Sequence, residues 1–158
     1  MTRTPSQTVG PFFHEAMRWE DGASVARAVA GESVTLRGRV LDGAGAPVPD
    51  AIVEAWQADP PGLGRVLTGE DGGFGFRTAK PGGTRPCLDV LVFARGLLKP
   101  VRTRVYLAPL DEARADPALA GVRASPRIPT LVATIAGNGE WKWDIRLQGE
   151  GETMFFAG

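Results

Sequence analysis

The chain has 158 residues, enough for one domain with a sizeable hydrophobic core and too few for two that would each be stable. Lysine plus arginine balance aspartate plus glutamate, 18 against 18, so no global field draws the chain to nucleic acid or to an acidic membrane surface. A single cysteine, Cys87, excludes an intrachain disulfide, and no apolar run approaches the ~20 residues of a membrane-crossing helix.

The N-terminal stretch MTRTPSQTVGPFF lacks an apolar signal region, which with the composition points to a cytoplasmic protein. Residues Met1 to Phe13 show neither helical nor strand periodicity and are predicted to form an extended arm, part of an N-terminal segment reaching residue 30. From Ser33 to Leu41, Val34, Leu36, Gly38 and Val40 alternate with Thr35, Arg37 and Arg39, the period-two pattern of a half-buried strand. Asp42-Gly43-Ala44-Gly45 then turns the chain. Further strands are predicted over Ala51–Ala58, Gly73–Thr78, Leu88–Arg95, Val101–Leu107, Leu131–Ala136 and Glu140–Leu147. Asn138-Gly139, between the last two, is the preferred dipeptide of a tight hairpin. Leu110–Leu119 is the one helix candidate, with Pro117 close to its end. The C-terminal Met154-Phe155-Phe156 is apolar enough that it should dock on the core or on another subunit. Short strands punctuated by glycine and proline predict an all-β fold, an antiparallel β-sandwich with little helix, as a single domain over residues 1–158.

Few residues carry chemistry by themselves. The glycine-rich turns Gly43-Ala44-Gly45 and Gly72-Gly73-Phe74-Gly75 lack the lysine and helix of a phosphate cradle. His14 is the only histidine, so no Ser-His-Asp set exists, and it reads as an ordinary hydrogen-bonded or exposed side chain. Cys87 and Asp89 share one face of a strand, but two ligands of mixed softness make no metal site, and Cys87 reads as a buried structural cysteine. Arg95 follows an apolar strand and precedes a glycine; its flanks alone read as a solvated arginine.

Several segments, in order, resemble the intradiol ring-cleavage dioxygenases, most closely α subunits of the protocatechuate 3,4-dioxygenase type. They are Thr4–His14 (TPSQTVGPFFH), Val53–Ala58 (VEAWQA), Phe76–Gly82 (FRTAKPG), Phe93–Gly96 (FARG), the alternating Val101–Leu107, and Asp144–Phe156 (DIRLQGEGETMFF). The resemblance implies the β-sandwich of that family and a reaction in which 3,4-dihydroxybenzoate is cleaved between its hydroxylated carbons by O2 to 3-carboxy-cis,cis-muconate. It also implies that Fe(III), held in iron-bearing members by two tyrosines and two histidines, is not held here. Cys87 and Asp89 align with the histidines, Phe74 with one tyrosine, and Asp59–Gly64 cuts across the loop of the other. The metal is therefore expected in a partner β subunit of a hetero-oligomer, with no cofactor on this chain. Thr8, Gly10, Pro11 and Phe12 of the arm are implied to wall the substrate pocket, and Arg95 to lend it positive potential. The loops after Ala58 and around Gly83 are shorter than is usual for such subunits. The competing expectation is a stand-alone β-sandwich that binds a partner or small molecule without a dioxygenase role.

Overall fold

A computed structural model describes residues 4–26, 32–83 and 86–157; the first three residues of the predicted arm and residues 27–31 of the N-terminal segment lie outside the described residues. Two β-sheets pack face to face. The first runs β4 (Gly73–Ala79), β1 (Ser33–Leu41), β8 (Glu140–Lys142), β7 (Thr134–Gly137), with β9 (Ile145–Arg146) also on β1. The second runs β3 (Gly62–Leu67), β2 (Ile52–Gln57), β5 (Cys87–Phe93), β6 (Val101–Tyr106) and is antiparallel throughout.

Strand alternation sets the faces. Val34, Leu36 and Val40 of β1, Phe74 and Phe76 of β4, Val53 and Ala55 of β2, and Leu88, Val90 and Val92 of β5 form one core between the sheets. Burying aliphatic and aromatic side chains in this way contributes about 1.5–3 kcal/mol each. A second, smaller cluster lies on the outer face of the second sheet. There Cys87, Tyr106 and Met154 pack with Ala113, Leu119, Ile128 and Leu131 from the connection between β6 and β7.

The expected β-sandwich forms, with five differences in detail. β8 and β9 pair with β1 in parallel, because the long connection after β6 and the β7–β8 hairpin deliver the chain back alongside β1 in its own direction. Glu140–Leu147 is two strands rather than one: at the break the Asp144 carboxylate, instead of a backbone carbonyl, accepts from the Arg39 N–H at 2.9 Å. A Cβ on Gly38 would lie 1.7 Å from the Trp143 carbonyl oxygen, so this close approach requires glycine.

β3 has no counterpart among the predicted strands, since glycines at 62 and 64 erase its alternation. It forms because Ala58–Pro61 folds it straight back on β2, and because the N-terminal segment crosses its glycines. A Cβ on Gly62 would fall 2.0 Å from the Val25 carbonyl oxygen. That segment bonds both sheets, with Arg65 N–H donating to Gly22 and Val25 N–H to Arg77.

The candidate helix stops early: α2 covers Leu110–Ala115, and Asp116 then accepts from the Ala118 N–H at 2.8 Å to open a 3₁₀ turn, Pro117–Val122. Proline at 117 has no N–H to continue the α-helical ladder. The predicted strand Leu131–Ala136 is similarly trimmed, as Ile128–Leu131 is a 3₁₀ turn. The apolar C-terminus docks on this chain itself. Phe156 N–H donates to the Arg102 carbonyl at 2.8 Å and Thr103 Oγ1 to the Met154 carbonyl at 2.8 Å, which supplies edge strand β6 with partners. Among the described residues, no helix is long and apolar enough to cross a membrane.

Candidate functional site at the arm and the outer face of the second sheet

Two regions collect the residues singled out by sequence. The first is the outer face of β5 and β6. Because successive strand residues alternate, Cys87 and Asp89 point outward while Leu88 and Val90 enter the core. Cys87 is buried in the outer cluster, opposite Tyr106. Asp89 lies opposite Arg104 and accepts from its Nε at 2.9 Å. The same guanidinium reaches Asp116 Oδ2 at 3.2 Å and the Tyr106 hydroxyl at 3.2 Å, and Tyr106 donates to Asp116 at 2.7 Å. The Phe156 ring lies 5.7 Å from the guanidinium carbon.

The Arg104 side chain is 7% exposed and that of Asp116 1%, so this is a buried ion network. Burial opposes the charge on Arg104, but the Tyr106 hydrogen bond and the Asp89 carboxylate outweigh it, and its pKa is raised. Burial foremost also pushes the Tyr106 phenol above its ordinary range, so it remains a neutral donor. Sequence reasoning missed Arg104, Tyr106 and Asp116. Arg104 shares the alternation of β6 with Arg102, which gives no sign of burial, and the tail that covers Arg104 arrives from the far end of the chain.

Phe74 is not brought together with Cys87 and Asp89. Its ring lies in the core between the sheets, edge-on to Trp143 at 6.5 Å, with the second sheet separating it from the outer face. Among the described residues, no group of three or more His, Cys, Asp or Glu is arranged to hold a metal ion.

The second region is the end of β5, where the arm returns. Phe13, in the short helix α1 (Phe13–Ala16), packs its ring 5.8 Å from that of Phe93. Thr8 Oγ1 accepts from the Gly96 N–H at 2.7 Å. Arg95, immediately before this anchor, pairs through Nε with Asp50. Thr8 is therefore tied to the residue that follows Arg95, at one end of the second sheet. Gly10, Pro11 and Phe12 follow Thr8 on the exposed side of the arm. Nothing lies within 4 Å of the position of a Cβ on Gly10, and Phe12 is 81% exposed.

A family model described as "Dioxygenase" (Dioxygenase_C) matches residues 8–94. The chain is 33% identical to the protocatechuate 3,4-dioxygenase alpha chain of Pseudomonas putida over 196 aligned positions, covering 99% of this chain and 96% of that one. The chain belongs to the intradiol ring-cleavage dioxygenase family. The alpha chain of the same enzyme from Burkholderia cepacia is 34% identical, with 99% and 98% of the two chains covered. Among solved structures, the dioxygenase domain of a dioxygenase–carbohydrate-binding fusion from Streptomyces sp. SirexAA-E superposes with a TM-score of 0.64. At 22% identity, over 92% of this chain and 99% of that domain, this likeness speaks to the fold.

The donors here do not fit the ferric ion that the resemblance implies for the iron-bearing members. Ferric iron requires several anionic or imidazole donors converging on an open centre. At the two positions that the resemblance aligns with histidine ligands, Cys87 lies in an apolar cluster and Asp89 is neutralised by an arginine whose own positive charge is fixed nearby.

Proposed function

We propose that this chain is the metal-free, α-type subunit of a protocatechuate 3,4-dioxygenase, whose partner β subunit holds the iron. The observation that carries this reading is the burial of Arg104 between Asp89 and Asp116. A permanent cation bonded to both carboxylates repels a ferric ion and occupies the lone pairs it would need. Full-length similarity to two α chains supports the same assignment.

In this reading the working surface is the arm end. Thr8 anchors the arm through its accepted bond, leaving its own hydroxyl proton for a polar substrate atom or a partner carbonyl. Gly10 admits close backbone approach, while Pro11 and Phe12 form an apolar wall that excludes water once the partner covers it. Arg95 presents positive charge to the carboxylate of 3,4-dihydroxybenzoate. Substrate and O2 meet at the interface, and ring cleavage between the hydroxylated carbons gives 3-carboxy-cis,cis-muconate.

The test is expression alone and together with a β-type chain, followed by iron content, visible absorption and oxygen uptake with 3,4-dihydroxybenzoate. The expected outcome is a colourless, iron-free, inactive chain alone and a coloured, active complex. A coloured, active oligomer of this chain alone overturns the proposal. Failure to associate with any β-type chain favours a stand-alone binding module.

A further inference from the structure

The β2–β5 register pairs Ile52 with Phe93 and Val53 with Val92; continued two residues past the ladder it sets Asp50 opposite Arg95. The two side chains meet there, Arg95 Nε donating to Asp50 Oδ2. The Asp50 side chain is 22% exposed and that of Arg95 60%, so the carboxylate forms the sheltered, fixed half of the pair. Nε is the inner nitrogen of the guanidinium. With it held, the plane is pinned, and the two terminal nitrogens have no protein partner among the described residues. One residue on, Gly96 N–H is held by Thr8, so Arg95 is fixed through both its side chain and its following peptide.

We propose that Asp50 is a positioning residue: it orients Arg95 so that the terminal nitrogens of the guanidinium form a two-pronged donor for the carboxylate of the aromatic substrate. The planar fork of arginine matches a carboxylate only in a restricted orientation. A long side chain that is mostly exposed loses that orientation unless something nearby holds it. Asp50 thereby influences which catechols are accepted without touching them. This rests on the reading of Arg95 as a pocket residue.

The experiment uses the complex with its iron-bearing partner and compares 3,4-dihydroxybenzoate with catechol, which lacks the carboxylate. Asp50→Asn keeps the shape and removes the charge. It is expected to lower kcat/KM for 3,4-dihydroxybenzoate about tenfold, mainly through KM, and to leave catechol within about twofold. Asp50→Glu should recover part of the loss. In an Arg95→Ala background, Asp50→Asn should have no further effect. On the chain alone, the Arg95 Nε–H signal in a 1H–15N spectrum should be protected from exchange and lose that protection in Asp50→Asn. Equal losses on both substrates, or an additive effect in the Arg95→Ala background, overturn the positioning role. An unprotected Nε–H in the parent chain does so as well, with no need of an active complex. If Arg95→Ala changes neither substrate, the pocket reading of Arg95 itself falls; if it impairs 3,4-dihydroxybenzoate while Asp50→Asn does not, only the present inference falls.

Discussion

Replacing Arg104 by methionine tests whether the network on the outer face of the second sheet acts as an energetic unit. Methionine fills similar space and removes the charge, so the effect reports the ion network more than a cavity. The guanidinium donates to Asp89, Asp116 and the Tyr106 hydroxyl, and its loss takes a shared cation from both carboxylates, Asp89 keeping Arg102 at 4.0 Å. Breaking a buried pair from one side costs about 3–5 kcal/mol. Asp116 retains the Tyr106 hydroxyl and the Ala118 N–H, and Asp89 is partly exposed to water, which places the expectation at about 3 kcal/mol. For a chain of this length, each kcal/mol lowers the melting temperature by roughly 2–4 °C, so a fall of about 6–12 °C is expected. Urea denaturation at fixed protein concentration should show a lower midpoint at unchanged m-value. Adding Asp116→Asn should recover part of the loss, with a coupling of at least about 1 kcal/mol. A loss below about 1 kcal/mol, or strict additivity of the two substitutions, would refute the argument that Arg104 neutralises this face.

Tyr106 is the only tyrosine, so its ionisation can be followed directly by absorbance near 295 nm. Burial holds its folded pKa above the ordinary value of ~10. The folded state therefore keeps a proton that the unfolded state releases above pH ~10, and stability falls as pH rises from there toward the folded pKa. The native chain should show no tyrosinate until it unfolds, and Tyr106→Phe should flatten that part of the alkaline decline; ordinary titration near pH 10 in the folded protein would contradict the burial argument. Thr8→Val removes the acceptor of the Gly96 N–H, an exposed bond worth about 0.5–1.5 kcal/mol locally. Faster amide exchange at Gly96 and earlier proteolysis of the arm should follow with little change in global melting, and Thr8→Ser should behave as the parent.

The residues that face inward were legible without coordinates, because a strand has a period of two and apolar side chains must leave water. Val34, Leu36 and Val40, the apolar face expected of the first strand, all lie in the core. β3 was not legible, since Gly62 and Gly64 carry no hydrophobic signal and their absence of side chains matters only once the N-terminal segment crosses them. The paired outward positions of Cys87 and Asp89 followed from their spacing, but the separation of Phe74 from both required knowing that a sheet lies between them.

The sequence by itself determined the strand faces, the family, and the placing of a cysteine and an aspartate on one face of a strand. These are properties of local period and of residue identity, which any stretch of chain carries with it. Tertiary structure decided what those residues meet. Asp89 finds Arg104 across a strand pair, Asp116 enters from the connection after β6, Phe156 closes over them from the C-terminus, and Asp50 meets Arg95 through the β2–β5 register. Each of these contacts depends on strand register and on where distant segments return. Period two fixes the side of a sheet a residue faces and leaves its neighbours on that side open.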